Sequence, residues 1–318
     1  MTSHNPGTPA TPLLGLHHVT AIAGAPQRNL DFYAGVLGLR LVKKTVNFDD
    51  PGTYHLYFGD ADGSPGSILT FFPWVGARPG HAGNGQTQTT TFAAPTAALD
   101  DWRRRLLADG IAVEELERFG EPVLRFSDPD GLGLELTGVD GEGDAILGFD
   151  AVTLQVADGE PTSAALDVMG FREVASEGAR RRFEVADGGS GARVDVLVTP
   201  DAPRARSGAG TVHHVAFRNA DDASQAEWRA YLGAASLWPT DVKDRQYFHS
   251  IYFREPGGVL FELATDPPGF AFDESPETMG SGLMLPPWLE EQRGRIEAAL
   301  PTLRTPARAG GSADGGGA

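Results

Sequence analysis

The chain repeats itself, and no other feature limits its fold so strongly. VLGLRLV at Val36 to Val42 matches VMGFREV at Val168 to Val174, and GLHHVT at Gly15 to Thr20 matches GFDAVT at Gly148 to Thr153. FSDPDGLGLEL at Phe126 to Leu136 matches FREPGGVLFEL at Phe253 to Leu263, with Phe, an acid, Pro, Gly, Glu and Leu in the same order and spacing. These matches divide the chain into four units of roughly 60 residues, a period typical of stacked supersecondary modules. The units begin near Leu14, Gln86, Leu147 and Gly210.

Each unit opens with a strand-like run and continues with a helical stretch: Asn29 to Leu37, Ala97 to Leu107, Thr162 to Met169 and Ser224 to Leu232. The second has the clearest periodicity, with Leu99, Trp102, Leu106 and Leu107 expected on one face. Strands punctuated by Gly, Pro and Asp follow, so a unit reads as β-α-β-β-β. The fold class expected is therefore α+β, with four such modules forming two half-open barrels. Residues 14–142 would form an N-terminal domain of modules one and two, and residues 145–268 a C-terminal domain of modules three and four. Residues 269–318 are left as an extension, with one helix over Leu285 to Leu300 and a disordered Gly/Ala-rich tail, ARAGGSADGGGA.

The composition narrows the function. A net charge of -17 repels nucleic-acid phosphates and anionic lipid, so neither is expected as a partner. The chain has no cysteine, so any metal must be held by His, Asp, Glu or backbone oxygen. The opening MTSHNPGTPATPLLG has neither the basic stretch nor the apolar run of a secretory signal, and no run is long enough to span a membrane. A cytoplasmic location is expected.

Four of the eight histidines stand in two doublets, LHHVT at Leu16 to Thr20 and VHHVAF at Val212 to Phe217. The second histidine of each marks one repeat position: His18 in unit one and His214 in unit four, against Ala151 in unit three and no histidine in unit two. At the FEL position, unit four has Glu262, unit two has Glu135, unit one has Thr70, and unit three offers only Asp195. Two neutral imidazoles and one carboxylate form the facial triad of non-haem Fe(II) oxygenases, which leaves metal positions open. His18, His214 and Glu262 are therefore the expected ligands, and modules one and four should share the metal-bearing barrel. A lone histidine beside an apolar strand is more often a hydrogen-bonded core residue, but two at equivalent repeat positions with an in-register Glu outweigh that reading. Glu135, lacking histidine partners, reads as a surface or capping carboxylate. His4, in a flexible terminus, and His55, His81 and His249 are structural by default, although His55 and His249 are placed to line a pocket.

The modules, the HHVT and HHVAF openings and DRQYFHSIYFREPGGVLFELATD (Asp244 to Asp266) resemble the vicinal oxygen chelate superfamily. More narrowly, the chain is similar to its ring-cleaving dioxygenases of the MhqO-like and dichlorohydroquinone types, over about Leu14 to Leu300. The resemblance implies the same ligands, His18, His214 and Glu262, with His17, Thr20, His213, Arg245 and Tyr252 as surrounding catalytic residues. It implies Fe(II), with Mn(II) as the alternative, and a small aromatic diol and O2 as substrates. A homo-oligomer is compatible with it. Side chains alternate along a strand, so His17 and His213 would need a twist or bulge to reach the site. Two rivals stand beside this reading. A glyoxalase-type isomerase or lyase normally uses four ligands, and Thr70 occupies the place of its second carboxylate. A non-catalytic small-molecule-binding protein of the same fold would not need the triad.

Overall fold

A computed structural model describes residues 7–304. His4 and the Gly/Ala-rich tail lie outside the described residues.

The four modules are present. The first comprises β1 (Leu16–Ala23), α1 (Pro26–Leu30), β2 (Arg40–Asn47), β3 (Asp50–Gly59) and β4 (Ile68–Pro73), with α1 continuing into a π-helical turn over Asp31–Val36. The second comprises β5 (Gln86–Pro95), α2 (Leu99–Ala108), β6 (Glu114–Arg118), β7 (Glu121–Ser127) and β8 (Gly133–Val139). The third comprises β9 (Gly148–Val156), α3 (Gly159–Val168), β10 (Arg172–Glu177), β11 (Arg180–Glu184) and β12 (Arg193–Val198). The fourth comprises β13 (Thr211–Asn219), α4 (Asp222–Ala234), β14 (Lys243–Asp244), β15 (Phe248–Arg254) and β16 (Leu260–Pro268). Two helices begin at acidic caps. Asp158 accepts from the Glu160 N–H, and Asp221 and Ser224 form a reciprocal capping box. On α2, Leu99, Trp102 and Leu106 are buried as expected, but Leu107 turns outward and is 47% exposed.

The strands form two eight-stranded, curled sheets ordered β14-β15-β16-β13-β1-β4-β3-β2 and β10-β11-β12-β9-β5-β8-β7-β6. Modules one and four share one sheet and modules two and three the other, as expected. In every module the first strand lies parallel to the last. The modules meet through antiparallel pairing of their first strands, β1 with β13 and β5 with β9. The central strands β1 and β9 are buried along their whole length, polar residues such as His18 and Asp150 included.

The repeated Asp-Pro and Glu-Pro turns have a structural use. Asp128 accepts hydrogen bonds from the Tyr33 hydroxyl at 3.0 Å and the Leu132 N–H at 2.8 Å. Glu255 accepts from Thr162 Oγ1 at 2.9 Å and the Val259 N–H at 2.7 Å. Each acid thus fastens the turn before one module's last strand to the helical segment of the preceding module. Gly257 lies so close to Thr162 that a Cβ there would collide with Oγ1.

The C-terminal extension runs along β2. The Met284 N–H donates to the Lys44 carbonyl at 2.9 Å, and Lys44 and Leu283 form a parallel bridge. The fully buried Lys43 ammonium lies 2.6 Å from both Asp273 and Glu274. The helix expected over Leu285 to Leu300 is shorter than that. A 3₁₀ segment spans Pro287–Gln292, and only α5 (Arg293–Ala299) is α-helical. Pro287 keeps the residue before it out of the α region, and Pro286 is extended, so no helix begins at Leu285.

Register confirms the repeat alignment and corrects one reading. Counted two residues beyond the doublet position, Thr20 pairs with Thr70, Thr91 with Glu135, Thr153 with Asp195 and Ala216 with Glu262. Glu135 is neither a surface nor a capping group, because it is fully buried. Arg118 forms an ion pair with its Oε2, Arg125 Nε lies 3.3 Å from its Oε1, and Thr91 donates to it at 2.9 Å. Asp195, 2% exposed, is bound by Arg182 Nε at 2.9 Å and Arg180 Nη1 at 3.2 Å. The second sheet therefore fills its carboxylate positions with internal arginine pairs. Removing one member of such a pair strands a buried charge. Glu135→Ala should lower the unfolding free energy in urea by about 3 to 5 kcal/mol, and the double variant Arg118→Met/Glu135→Leu should recover most of it. A Glu135→Ala protein unfolding at the parent urea concentration would show that the network is slack.

Candidate metal centre

His18 and His214 lie diagonally across the β1–β13 pair, since His18 is opposite Ala216 and Thr20 opposite His214. Glu262, on β16, is opposite Ala216 on the other side of β13. Three side chains from three adjacent strands thus reach one point. His18 Nε2 lies 3.3 Å from His214 Nε2 and 3.3 Å from Glu262 Oε2, and His214 Nε2 lies 2.8 Å from the same oxygen. All three residues are buried, Glu262 completely. Among the described residues, this trio is the cluster of His and acidic groups able to hold a metal ion.

The donors fit such an ion. Glu262 Oε1 accepts from the Ser250 hydroxyl. Glu262 Oε2 is buried and forms no well-aligned hydrogen bond despite its two imidazole neighbours. Neighbouring ligands held at about 2.1 Å on an octahedral ion stand about 3 Å apart, which is the spacing observed between these atoms. Burial alone would raise the Glu262 pKa, but His18 and His214 hold it well below the usual carboxylate range. Burial lowers that of His214, against the opposing pull of Glu262. An ionised carboxylate and a neutral imidazole are the forms that bind metals.

The first histidine of each doublet stands at a bulge. Between Leu16 and His18 the β1 strand has one more residue than its partner, and between His214 and Val212 the β13 strand does. The extra residues are His17 and His213. A bulge re-aims a side chain that strict alternation would send to the other face. His17 Nδ1 lies 2.9 Å from His18 Nδ1, and His213 Nδ1 lies 2.8 Å from His214 Nδ1. Nothing in the residue types at these positions marks the bulges.

A pocket of about 250 Å³ opens over the trio, lined by His18, Thr20, His213, His214, Arg245 and Tyr252, with Phe72, Trp74 and Phe248 supplying apolar walls. Tyr252 is paired in register with Glu262, and Arg245 Nε donates to its hydroxyl oxygen at 3.2 Å. Burial and the Glu262 charge push the Tyr252 pKa up, so the phenol keeps its proton. Arg245 is in turn 3.2 Å from Asp49, which also lines the pocket. Six of the eight candidate residues line this pocket; Glu262 meets it through His18 and His214, and His17 does not line it. Phe248 packs its ring 4.9 Å from that of His18 and 5.1 Å from that of His17. Sequence reasoning passed over Phe248 and Ser250, although Ser250 and Tyr252 alternate on one strand face in the segment before Glu262. His55 joins the pocket wall. His249 is partly exposed and pairs with Asp222, and His81 makes reciprocal backbone bonds with Arg206. A larger cavity of about 740 Å³, near Arg28 and Asp128, contains no histidine.

Paired β-α-β-β-β modules with a two-histidine, one-carboxylate cluster define a protein of the vicinal oxygen chelate class. Residues 15–136 match the family model described as "Glyoxalase/Bleomycin resistance protein/Dioxygenase superfamily". The chain is 49% identical over 300 residues to "Putative ring-cleaving dioxygenase MhqO" of Bacillus subtilis (strain 168), covering 90% of this chain and 96% of that one. It is 36% identical over 315 residues to "Chlorohydroquinone/hydroquinone 1,2-dioxygenase" of Sphingobium indicum, covering 92% and 96%. A crystal structure of a "putative dioxygenase" from Bacillus subtilis matches with a TM-score of 0.90 at 48% identity, covering 93% of this chain and 99% of that one. The chain belongs to the glyoxalase/dioxygenase superfamily and, within it, groups with proteins named as ring-cleaving dioxygenases. No helix among the described residues is long and apolar enough to cross a membrane.

Equilibrium dialysis against Fe(II) or Mn(II) under anaerobic conditions should find one tightly held ion per chain. Glu262→Ala, which leaves only two neutral donors, should lose it, and Glu135→Ala in its folded fraction should keep it. Equal metal content in these two variants would move the centre elsewhere.

Proposed function

We propose that the protein is an Fe(II)-dependent ring-cleaving dioxygenase that opens hydroquinone-type aromatic diols and inserts both atoms of O2. Catechol-type diols are the alternative substrate class, and Mn(II) the alternative metal. The observation that carries this reading is the buried trio of His18, His214 and Glu262 beneath an aromatic-walled pocket that also contains Arg245 and Tyr252.

His18, His214 and Glu262 would hold the metal, whose chemistry is to link triplet oxygen and an aromatic ring through electron transfer at open positions. With their Nε2 atoms given to that role, His18 and His214 carry their remaining protons on Nδ1. Each Nδ1 then donates to the neighbouring Nδ1, that of His17 or His213. This contact fixes the plane and tautomer of each ligand ring, as outer partners of metal-bound histidines do. In that tautomer His213 presents Nε2–H to the pocket, where it can donate to a ring oxygen. Tyr252, holding its proton beneath Arg245, would act as an acid, donating that proton to a substrate oxygen as negative charge develops there. Thr20 offers a hydroxyl on the His18 face of β1, two residues on. The Arg245 guanidinium stays cationic and stabilises negative charge on oxygen.

The glyoxalase-type reading finds Thr70 where its second carboxylate would stand, and Thr70 Oγ1 is engaged at 2.8 Å by both Thr20 and His55. A binding protein without catalysis would show no oxygen consumption. The deciding experiment is oxygen uptake by iron-loaded protein with hydroquinone and catechol, alongside metal analysis. Uptake with hydroquinone is expected, and its absence with every diol would overturn the reading. Tyr252→Phe should keep its iron but lose rate by on the order of 10² to 10⁴. Full rate in that variant would assign Tyr252 to the scaffold.

A further inference from the structure

One pocket wall has a hydrogen-bond chain that the ligand trio does not use. Tyr57 OH lies 2.8 Å from His55 Nδ1, His55 Nε2 lies 2.8 Å from Thr70 Oγ1, and Thr70 Oγ1 lies 2.8 Å from Thr20 Oγ1. The His55 ring packs in tilted contact with those of Tyr57 and Phe72, with centroids at 4.1 and 4.3 Å. Thr70 and Tyr57 hold the register positions in module one that Glu262 and Tyr252 hold in module four, since Tyr57 pairs with Thr70 as Tyr252 pairs with Glu262. Module one thus keeps the outline of half a metal site but fills it with neutral hydrogen-bonding groups.

Counting protons shows what this wall can do. Burial lowers the His55 pKa well below its ordinary value, so the imidazole is neutral and carries a single N–H. Two threonine hydroxyls, one phenol and one imidazole bring four donor protons to three hydrogen bonds. One proton is left over. If His55 carries its hydrogen on Nε2, the bonds run from Tyr57 towards Thr20, and Thr20 has the spare donor. If it carries the hydrogen on Nδ1, the bonds run the other way, and the spare donor is the Tyr57 hydroxyl. Tyr57, His55 and Thr20 all line the pocket, so either spare proton is available to a ligand there. Tyr57 is 1% exposed, and a polar donor so buried is costly unless something accepts from it.

Position separates the two ends. Thr20 adjoins His18, whereas His55 and Tyr57 sit on β3, two strands away across β4. The hydrogen bonds lead from Thr20 through Thr70 and His55 to Tyr57, so the two ends of the chain meet a ligand at different points of the pocket wall. A catechol brings its two oxygens to one place beside the trio. A hydroquinone brings one oxygen there and extends the other to the opposite side of the ring.

We propose that Tyr57, His55 and Thr70 receive the distal hydroxyl of a para-diol and thereby select hydroquinones over catechols. This rests on the diol-cleaving function proposed above. Tyr57 donates to the distal oxygen, while His55 adopts the Nδ1–H tautomer that supports the tyrosine oxygen. His55 and Thr70 are positioning residues in this scheme, since they act through Tyr57.

The test is anaerobic calorimetric binding of hydroquinone and catechol to metal-free and Fe(II)-loaded protein, together with KM and kcat from oxygen uptake. Tyr57→Phe and His55→Phe should each weaken hydroquinone binding and raise its KM by about 10- to 100-fold, the usual cost of a lost ligand hydrogen bond. Catechol constants and iron content should stay near the parent values. Thr70→Val should follow the same pattern, and Thr70→Ser, which restores the hydroxyl, should recover hydroquinone binding. Tyr57→Phe removes a single oxygen from a packed ring and is the variant least disturbing to folding. Unchanged hydroquinone constants in that variant, or equal losses for both diols, would overturn the proposal while leaving the dioxygenase reading intact. Absence of oxygen uptake by the iron-loaded parent with any diol would instead overturn the underlying function.

Discussion

The antiparallel pairing of β1 with β13 determines where every group of the metal centre lies. His18 and His214 face each other only because Thr20 stands opposite His214 and Ala216 opposite His18. The same strands place Glu262 and Thr70, since β16 and β4 flank them in parallel register. A slip of β1 by one residue against β13 would leave His18 and His214 on opposite faces. Two bulges work within this register. Each inserts one residue, and each inserted residue is the first histidine of a doublet. The outcome is a pair of adjacent imidazoles on each strand, joined at Nδ1.

The second sheet shows the same frame put to another use. Its first strands also pair antiparallel, and its last strands also present carboxylates, Glu135 and Asp195, at the positions of Glu262 and Thr70. Where the first sheet has histidines, the second has Thr89 and Ala151. Arg118, Arg125, Arg180 and Arg182 supply the positive charge that its acids require. Buried carboxylates of either sheet need a counter-charge. Guanidinium groups meet that need from within the second sheet, whereas Glu262 has only the imidazoles of His18 and His214 and the Ser250 hydroxyl around it.

The modules and their partnership could be read from residue spacing because each is a long-range consequence of a local pattern. The VLGLRLV and FSDPDGLGLEL matches locate repeats, and the unequal distribution of His18, His214 and Glu262 among them says which repeats meet. The bulges could not be read this way, because an extra residue in a strand changes pairing without changing composition. The burial of Glu135 was missed for a related reason: its arginine partners lie on strands β6 and β7, and nothing near Glu135 announces them. Proline is also an ordinary signal of a helix start, so Pro286 and Pro287 read as the opening of one helix. His55 was noticed as a histidine without a repeat partner, but its link to Tyr57 and Thr70 emerges only once β3 and β4 are paired.

The separation of the ligands along the chain has a consequence for how the centre comes into being. His18 and His214 are 196 residues apart, so the donor set cannot exist until module four has been synthesised and has docked on module one. An N-terminal fragment can form local turns and helices, but it cannot offer a completed cage to a metal. Any ion captured there would bind only the closed chain and would favour it by mass action. On the proposed function, metal loading would be a late event, and the ion would act as a clasp between modules one and four. Removing such an ion would then loosen the join between the outer modules before it disturbed the arginine-filled sheet formed by the inner two.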